Sequence, residues 1–215
     1  SRDATRRLIK LGENPKKIFN VGCPRIDLVK KVLKNKANIK HINNFISSNG
    51  VGNIIDVNQR FCLVSYHPVT TDFSKKDGNI KNILEILNEL SVNTIVLWPN
   101  SDAGSEKVAQ NIRKFREKNK NLKNFRFIIN LPTEIYIQLM NLTSCLIGNS
   151  SSGIREGAFI GTPVIDIGNR QQNRERGKNV VHVQNNLKHK LKSEILFQLT
   201  KKKYKRQNIY GNGSA

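Results

Sequence analysis

No run within the 215 residues approaches the ~20 consecutive apolar positions that a membrane-spanning helix requires. The opening stretch SRDATRRLIK also lacks the apolar core of a secretory signal. Together these absences argue against a membrane partner and predict a soluble, cytoplasmic protein. Cysteine is scarce: Cys23, Cys62 and Cys145 are odd in number, far apart and set in apolar stretches, with no CxxC and no Cys/His ligand spacing. That pattern argues against a disulfide framework or a metal site, and the three read as reduced core thiols. Acidic residues are few as well, 16 against 37 Lys and Arg, for a net charge of +21. Such an excess invites a nucleic-acid reading. Most of the lysines are nevertheless scattered among asparagines over predicted helix faces and loops. Tyr204 is the only aromatic within the basic cluster 201–206, so no stacking platform interleaves the charges. Residues 188–206 form the one basic stripe, and a solvated helix face accounts for it. Nucleic acid is therefore not an expected partner.

What is present is a regular alternation. Short apolar runs at residues 18–21, 61–66, 94–98, 125–129, 145–147, 163–167 and 180–183 read as strands. Amphipathic segments at 80–90, 106–118, 133–141 and 187–199 repeat apolar residues at three- and four-residue spacing and read as helices. Strands alternating with helices predict an α/β fold, a Rossmann-like parallel sheet flanked by helices. The length suffices for one substantial core, or for one complete domain and a piece of another. The helix and strand expected within residues 3–21 read as the end of a preceding domain, and a new segment opens at Gly22-Cys23-Pro24. Residues 204–215 are polar and Gly-rich, and no regular structure is assigned to them.

Right-handed crossovers place the loops that follow the strands along one edge of such a sheet, where open α/β folds bind ligands. The unusual residues collect in those loops: His67-Pro68-Val69-Thr70-Thr71-Asp72, Pro99-Asn100-Ser101-Asp102, the run from Gly148 to Gly153, and Gly168-Asn169-Arg170-Gln171. The run Gly148-Asn149-Ser150-Ser151-Ser152-Gly153 is the most telling, because an apolar strand breaks there into small hydrogen-bonding residues that open a helix. Unsatisfied N–H groups and the positive end of the helix dipole converge at such a junction and suit a phosphate. A bare helix cap at Asn149 or Ser150 is the competing account. Glu156 lies one turn beyond Ser152, which brings its carboxylate within reach of ribose hydroxyls beside a phosphate held at the turn.

These blocks resemble the UDP-N-acetylglucosamine 2-epimerases, most closely the hydrolysing kind that open sialic-acid biosynthesis. The matching stretches are HPVTTD from His67, WPNSDAGS ending at Ser105, GNSSSGIREGAFIGTPVIDIGNRQ from Gly148 to Gln171, and Ile209-Tyr210-Gly211-Asn212-Gly213. The resemblance implies the two-domain glycosyltransferase-B architecture. Residues 1–23 would be the last helix and strand of an N-terminal Rossmann-like domain, and residues 24–215 the C-terminal UDP-binding domain. It further implies that Ser150 and Ser151 hold the diphosphate, that Glu156 binds the uridine ribose, and that Asn100 and Arg170 contact the nucleotide sugar. His67 would lie near the diphosphate and be needed for activity, as an imidazolium countering phosphate charge. Arg155 and Gln171 take a supporting role.

The implied reaction eliminates UDP from the sugar and adds water, giving N-acetylmannosamine without a cofactor or metal. The acids that move most of the protons belong to the N-terminal domain, so the fragment alone is expected to have little or no activity. A homo-oligomer is implied at full length. Glu106, Gln110 and Ile129-Asn130 stand where the animal members of the family carry cations, which predicts weak or absent feedback by CMP-sialic acid. Four other readings stay open: an epimerase of a related UDP-diacetamido sugar, a non-hydrolysing epimerase, a transferase of the same architecture, and a non-catalytic UDP-sugar-binding module.

Overall fold

A computed structural model describes residues 1–69, 79–185 and 187–215. The chain runs α1 (Arg2–Lys10), a 3-10 turn (Pro15–Lys17), α2 (Pro24–Leu33), α3 (Ile39–Asn49), β1 (Gly50–Gly52), β2 (Cys62–Ser65), α4 (Asn79–Glu89), β3 (Thr94–Leu97) and α5 (Ser105–Lys118). It continues through β4 (Phe125–Ile128), α6 (Thr133–Leu142), β5 (Cys145–Gly148), α7 (Ser151–Ile160), β6 (Val164–Ile167), β7 (Val180–Val183) and α8 (Lys188–Thr200). The strands form one sheet in the order β1-β4-β3-β2-β5-β6-β7.

Six strands are parallel, and their residues alternate between two buried faces, as a sheet covered on both sides requires. Cys62, Val64, Cys145, Ile147, Ile165 and Ile167 face a core closed by α4, α5 and α8. Leu63, Leu146 and Val164 face the other, closed by α2, α3, α6 and α7. The Cys62 and Cys145 thiols are fully buried, and burial pushes Cys62 up to about 12, so both are inert core groups. Cys23 is only half-buried.

The expected α/β sheet flanked by helices is present, whereas the strand expected at residues 18–21 is not; one short strand, β1, pairs antiparallel with β4 at its edge. This short edge strand is held by Arg126, a buried side chain on β4 that donates to the carbonyls of Gly52 and of Ile46 and Ser47 at the end of α3. Residues 18–21 form no strand; Phe19 and Val21 are 79% and 62% exposed, and an apolar run needs a neighbouring edge to become a strand. Residues 24–49, to which no element was assigned, hold α2 and α3. Pro24 at the first position of α2 and the Asn38 side chain accepting from the His41 N–H at 3.0 Å were helix-start signals in the sequence.

Counted from β2, the parallel strands lie in the doubly wound order 3-2-1-4-5-6, so the chain changes direction between β2 and β5. The crevice outside the carboxyl ends of those two strands is where folds of this order bind ligands.

Candidate functional site

The strand ends at this crevice approach so closely that side chains are excluded. Gly148 ends β5 at φ +146°, and a Cβ there would stand 2.0 Å from the Ser65 carbonyl oxygen of β2. Asn149 then prolongs the ladder with its side chain. Its Oδ1 accepts from the His67 N–H at 2.8 Å and its Nδ2 donates to the His67 carbonyl at 2.8 Å. The Asn149 carbonyl is itself gripped by Arg170 Nη1 at 3.2 Å and Gln171 Nε2 at 2.8 Å. Asn149 therefore joins the loops after β2 and β6 to the turn after β5.

Ser150 is the N-cap of α7, and its Oγ accepts from the Ser152 N–H. The Ser152 hydroxyl is occupied by Ser150 Oγ at 2.8 Å and by Tyr136 OH, whereas that of Ser151 makes no hydrogen bond among the described residues. The Ser152 N–H is capped by Ser150 Oγ and the Gly153 N–H reaches the Ser150 carbonyl at 3.2 Å, which leaves the Ser151 N–H and hydroxyl as the donors at this end that make no hydrogen bond among the described residues, beside the positive end of the helix dipole.

His67 is pinned from two sides. Its Nδ1 lies 3.1 Å from Asn100 Oδ1, and its Nε2 faces Ser65 Oγ at 3.4 Å. Burial lowers the imidazole's proton affinity and the neighbouring Arg170 charge lowers it further, against smaller opposing effects of Asn100 and Asp102. The chain alone thus holds His67 toward its neutral form. Arg170 Nη2 reaches Asp102 Oδ2 at 3.2 Å, linking the loop after β6 to the loop after β3. The Asn100 amide and Arg170 hold the Asp102 carboxyl below its ordinary range.

Glu156 lies on the buried face of α7, 2% exposed. Arg25 of α2 donates from Nε to Oε1 at 3.4 Å, while Oε2 lacks a hydrogen bond and has only the Arg155 Nε 3.5 Å away. Oε2 is sealed from solvent in this structure, so a hydroxyl donor reaches it only when the Arg25 or Arg155 side chain moves aside.

Of the six residues singled out, His67, Asn100 and Arg170 converge with Ser150 around Asn149; Ser151 follows Ser150, and Glu156 stands one turn deeper against α2. Thr70, Thr71 and Asp72 lie outside the described residues. The sequence reading gave no role to Asp102, Tyr136 or Arg25, and counted Asn149 only as a rim donor or a cap, not as the tie between loops. Only Asp102 carried a usable signal, its place in a post-strand loop; the others meet the site through packing of distant helices. Among the described residues no group of three or more His, Cys, Asp or Glu could hold a metal, and no helix is long and apolar enough to cross a membrane.

A doubly wound sheet that opens a helix at its switch point beside an imidazole and a guanidinium has the arrangement by which α/β proteins hold phosphorylated ligands. The chain belongs to the UDP-N-acetylglucosamine 2-epimerase family, whose model matches residues 1–215. It is 31% identical over 179 residues to the GDP/UDP-N,N'-diacetylbacillosamine 2-epimerase (hydrolyzing) of Campylobacter jejuni, covering 82% of this chain and 43% of that protein. It is 30% identical over 207 residues to the UDP-N,N'-diacetylbacillosamine 2-epimerase (hydrolyzing) of Legionella pneumophila, covering 96% of this chain and 51% of that one. The chain thus spans about half the length of the relatives it matches. Its fold is shared with the UDP-GlcNAc 2-epimerase of Neisseria meningitidis, solved bound to UDP-GlcNAc, at TM-score 0.74 and 16% identity over 99% of this chain and 57% of that one. The fold is accordingly one Rossmann-like half of a glycosyltransferase-B-type architecture.

Proposed function

We propose that this chain is the UDP-binding half of a hydrolysing UDP-sugar 2-epimerase, with residues 1–23 the end of an N-terminal half and residues 24–215 the nucleotide-binding half. The observation that carries the reading is the convergence of His67, Asn100, Ser150 and Arg170 on the turn that opens α7. The diphosphate lies at the α7 N-terminus on its N–H groups and the Ser150 and Ser151 hydroxyls, with Arg170 and His67 on its flank. Glu156 takes the ribose hydroxyls once the Arg25 or Arg155 side chain moves aside from its carboxylate.

In the reaction a base from the N-terminal half removes the proton from the sugar carbon bearing the acetamido group. The bond between the anomeric carbon and the diphosphate oxygen breaks, UDP departs with that electron pair, and a glycal remains. Water then adds its hydroxyl to the anomeric carbon and a proton returns to the neighbouring carbon on the opposite face, releasing the free 2-epimeric sugar. Negative charge grows on the leaving diphosphate, so the α7 dipole, Arg170 and a proton taken up by His67 stabilise the transition state rather than act as the base.

Two sugars compete. UDP-N-acetylglucosamine is the family substrate, whereas the names of the Campylobacter and Legionella relatives favour a 2,4-diacetamido sugar. The test supplies both UDP sugars, in deuterium oxide, to the longer protein that joins this chain to an N-terminal half. The expected result is UDP release with a free 2-epimeric sugar carrying deuterium at the epimerised carbon. An epimer that keeps its UDP would convert the reading to the non-hydrolysing reaction, and binding without turnover would reduce it to a binding module.

A further inference from the structure

Asp166 is the third residue of β6, 1% exposed, between the core residues Ile165 and Ile167. In register it sits between Gly148 of β5 and His182 of β7, at the end of the sheet that carries the phosphate turn. Taking a carboxylate out of water is costly, and a buried ion pair gives the fold no more stability than a well-packed apolar pair of the same volume. Stability therefore does not explain this residue, and its partners suggest what does.

The Asp166 Oδ2 accepts from Arg176 Nε at 3.2 Å and Arg176 Nη2 at 2.8 Å, and stands 3.3 Å from His182 Nδ1. Arg176 lies at the far end of the loop that leaves β6, and the same Nη2 donates to the backbone carbonyl of Gln171 at 3.1 Å. Gln171, itself 2% exposed, donates to the Asn149 carbonyl, and so does its neighbour Arg170. A continuous path thus leads from the floor of the sheet through Arg176 and the Gln171 backbone to the turn that opens α7. The loop has no helix or strand of its own, only turn bonds such as Gln172 N–H to Asn169 O at 2.9 Å, and the Arg176 tie to the Gln171 backbone acts beside the direct grip of Asp102 and Asn149 on Arg170.

We propose that Asp166 is a positioning residue for the nucleotide diphosphate: through Arg176 it fixes the Gln171 backbone, and with it the place of the Arg170 guanidinium over the α7 N-terminus. This inference rests on the diphosphate site of the proposed function. Asp166 does not touch the ligand, and its charge has the ligand's own sign. That sign separates the two ways it could matter. A field effect alone makes Asp166→Asn bind a diphosphate more tightly, because a like charge is removed; loss of positioning makes it bind more weakly.

The experiment is calorimetric titration of the 215-residue chain with UDP, for the unaltered protein, Asp166→Asn, Arg176→Gln, Arg170→Ala and Asp166→Asn/Arg170→Ala, with thermal unfolding of each. Asp166→Asn and Arg176→Gln should each weaken binding by about tenfold, and the double variant should bind no more weakly than Arg170→Ala alone, because both changes act through one guanidinium. A merely structural Asp166 would weaken binding equally with and without Arg170. Arg176 is partly exposed, so its variant decides the matter if Asp166→Asn does not fold. Unchanged or tighter binding by Asp166→Asn, additive losses in the double variant, or unchanged binding by Arg176→Gln overturns the proposal while leaving the UDP site in place. No UDP binding by the unaltered, folded chain overturns the site and this inference with it.

Discussion

The protonation of His67 is set by what occupies the crevice. With no anion present, burial and Arg170 favour the neutral ring. A diphosphate reverses that balance, so UDP binding should take up a fraction of a proton near neutral pH. Binding enthalpies measured in two buffers of different ionisation enthalpy should reveal the uptake, and His67→Gln should abolish it; equal enthalpies in the unaltered chain would remove His67 from the diphosphate. The linkage to folding has the matching sign. A histidine whose folded value lies below the unfolded value of about 6.5 adds stability above that pH and loses it as pH falls through the folded value. At this scale the sequence showed which residues share the sheet edge better than how they meet. His67 and Asn100 share a sheet edge because strand and helix alternate, which periodicity reveals. The double amide bond from Asn149 to the His67 backbone depends on the register of β2 against β5, which no local pattern encodes.

Helix α7 approaches β5 and β6 most closely at Gly153, beside the core side chains Phe159 and Ile160. A Cβ on Gly153 would stand 2.7 Å from Leu146 Cδ2 and 2.9 Å from Val164 Cγ1. Gly153→Ala should therefore push the helix off β5 and β6, lowering stability by ~1–3 kcal/mol, the usual range for an overpacked core. Chemical denaturation measures this, and a stability unchanged within ~0.5 kcal/mol would mean that the helix start is free to shift. The six parallel strands were legible because each is a short apolar run between polar or Gly/Pro boundaries, and both faces are buried. Residues 18–21 have the same composition and fail as a strand, since pairing depends on an available edge. The β1 strand, Gly-Val-Gly, has two glycines that disfavour a strand, and besides its ladder to β4 it is held by Arg126, which ties it and the end of α3 to β4.

Across the whole molecule, the charge of +21 is less of a binding face than the sequence suggests. Within the basic stripe, Lys188 and Lys192 of α8 reach Glu85 and Glu89 of α4, and Lys201 lies over the Phe197 ring. These contacts spend part of the charge on surface pairing, whereas the cation that faces the crevice, Arg170, is held in place by Asp102 and Asn149. The central claim is that a diphosphate sits where α7 begins, and titration of this chain with UDP at two salt concentrations tests it most directly, beside Ser151→Ala and Ser150→Ala/Ser151→Ala. The Ser151 hydroxyl has no hydrogen-bond partner among the described residues, so its removal should leave unfolding unchanged while weakening UDP. Adding loss of the Ser150 cap should cost about 1 kcal/mol of stability and most of the remaining affinity. Saturable UDP binding that is weakened by Ser151→Ala, nearly lost in the double variant and reduced by salt is the predicted result. UDP binding that is indifferent to both serines would place the diphosphate elsewhere and contradict the account.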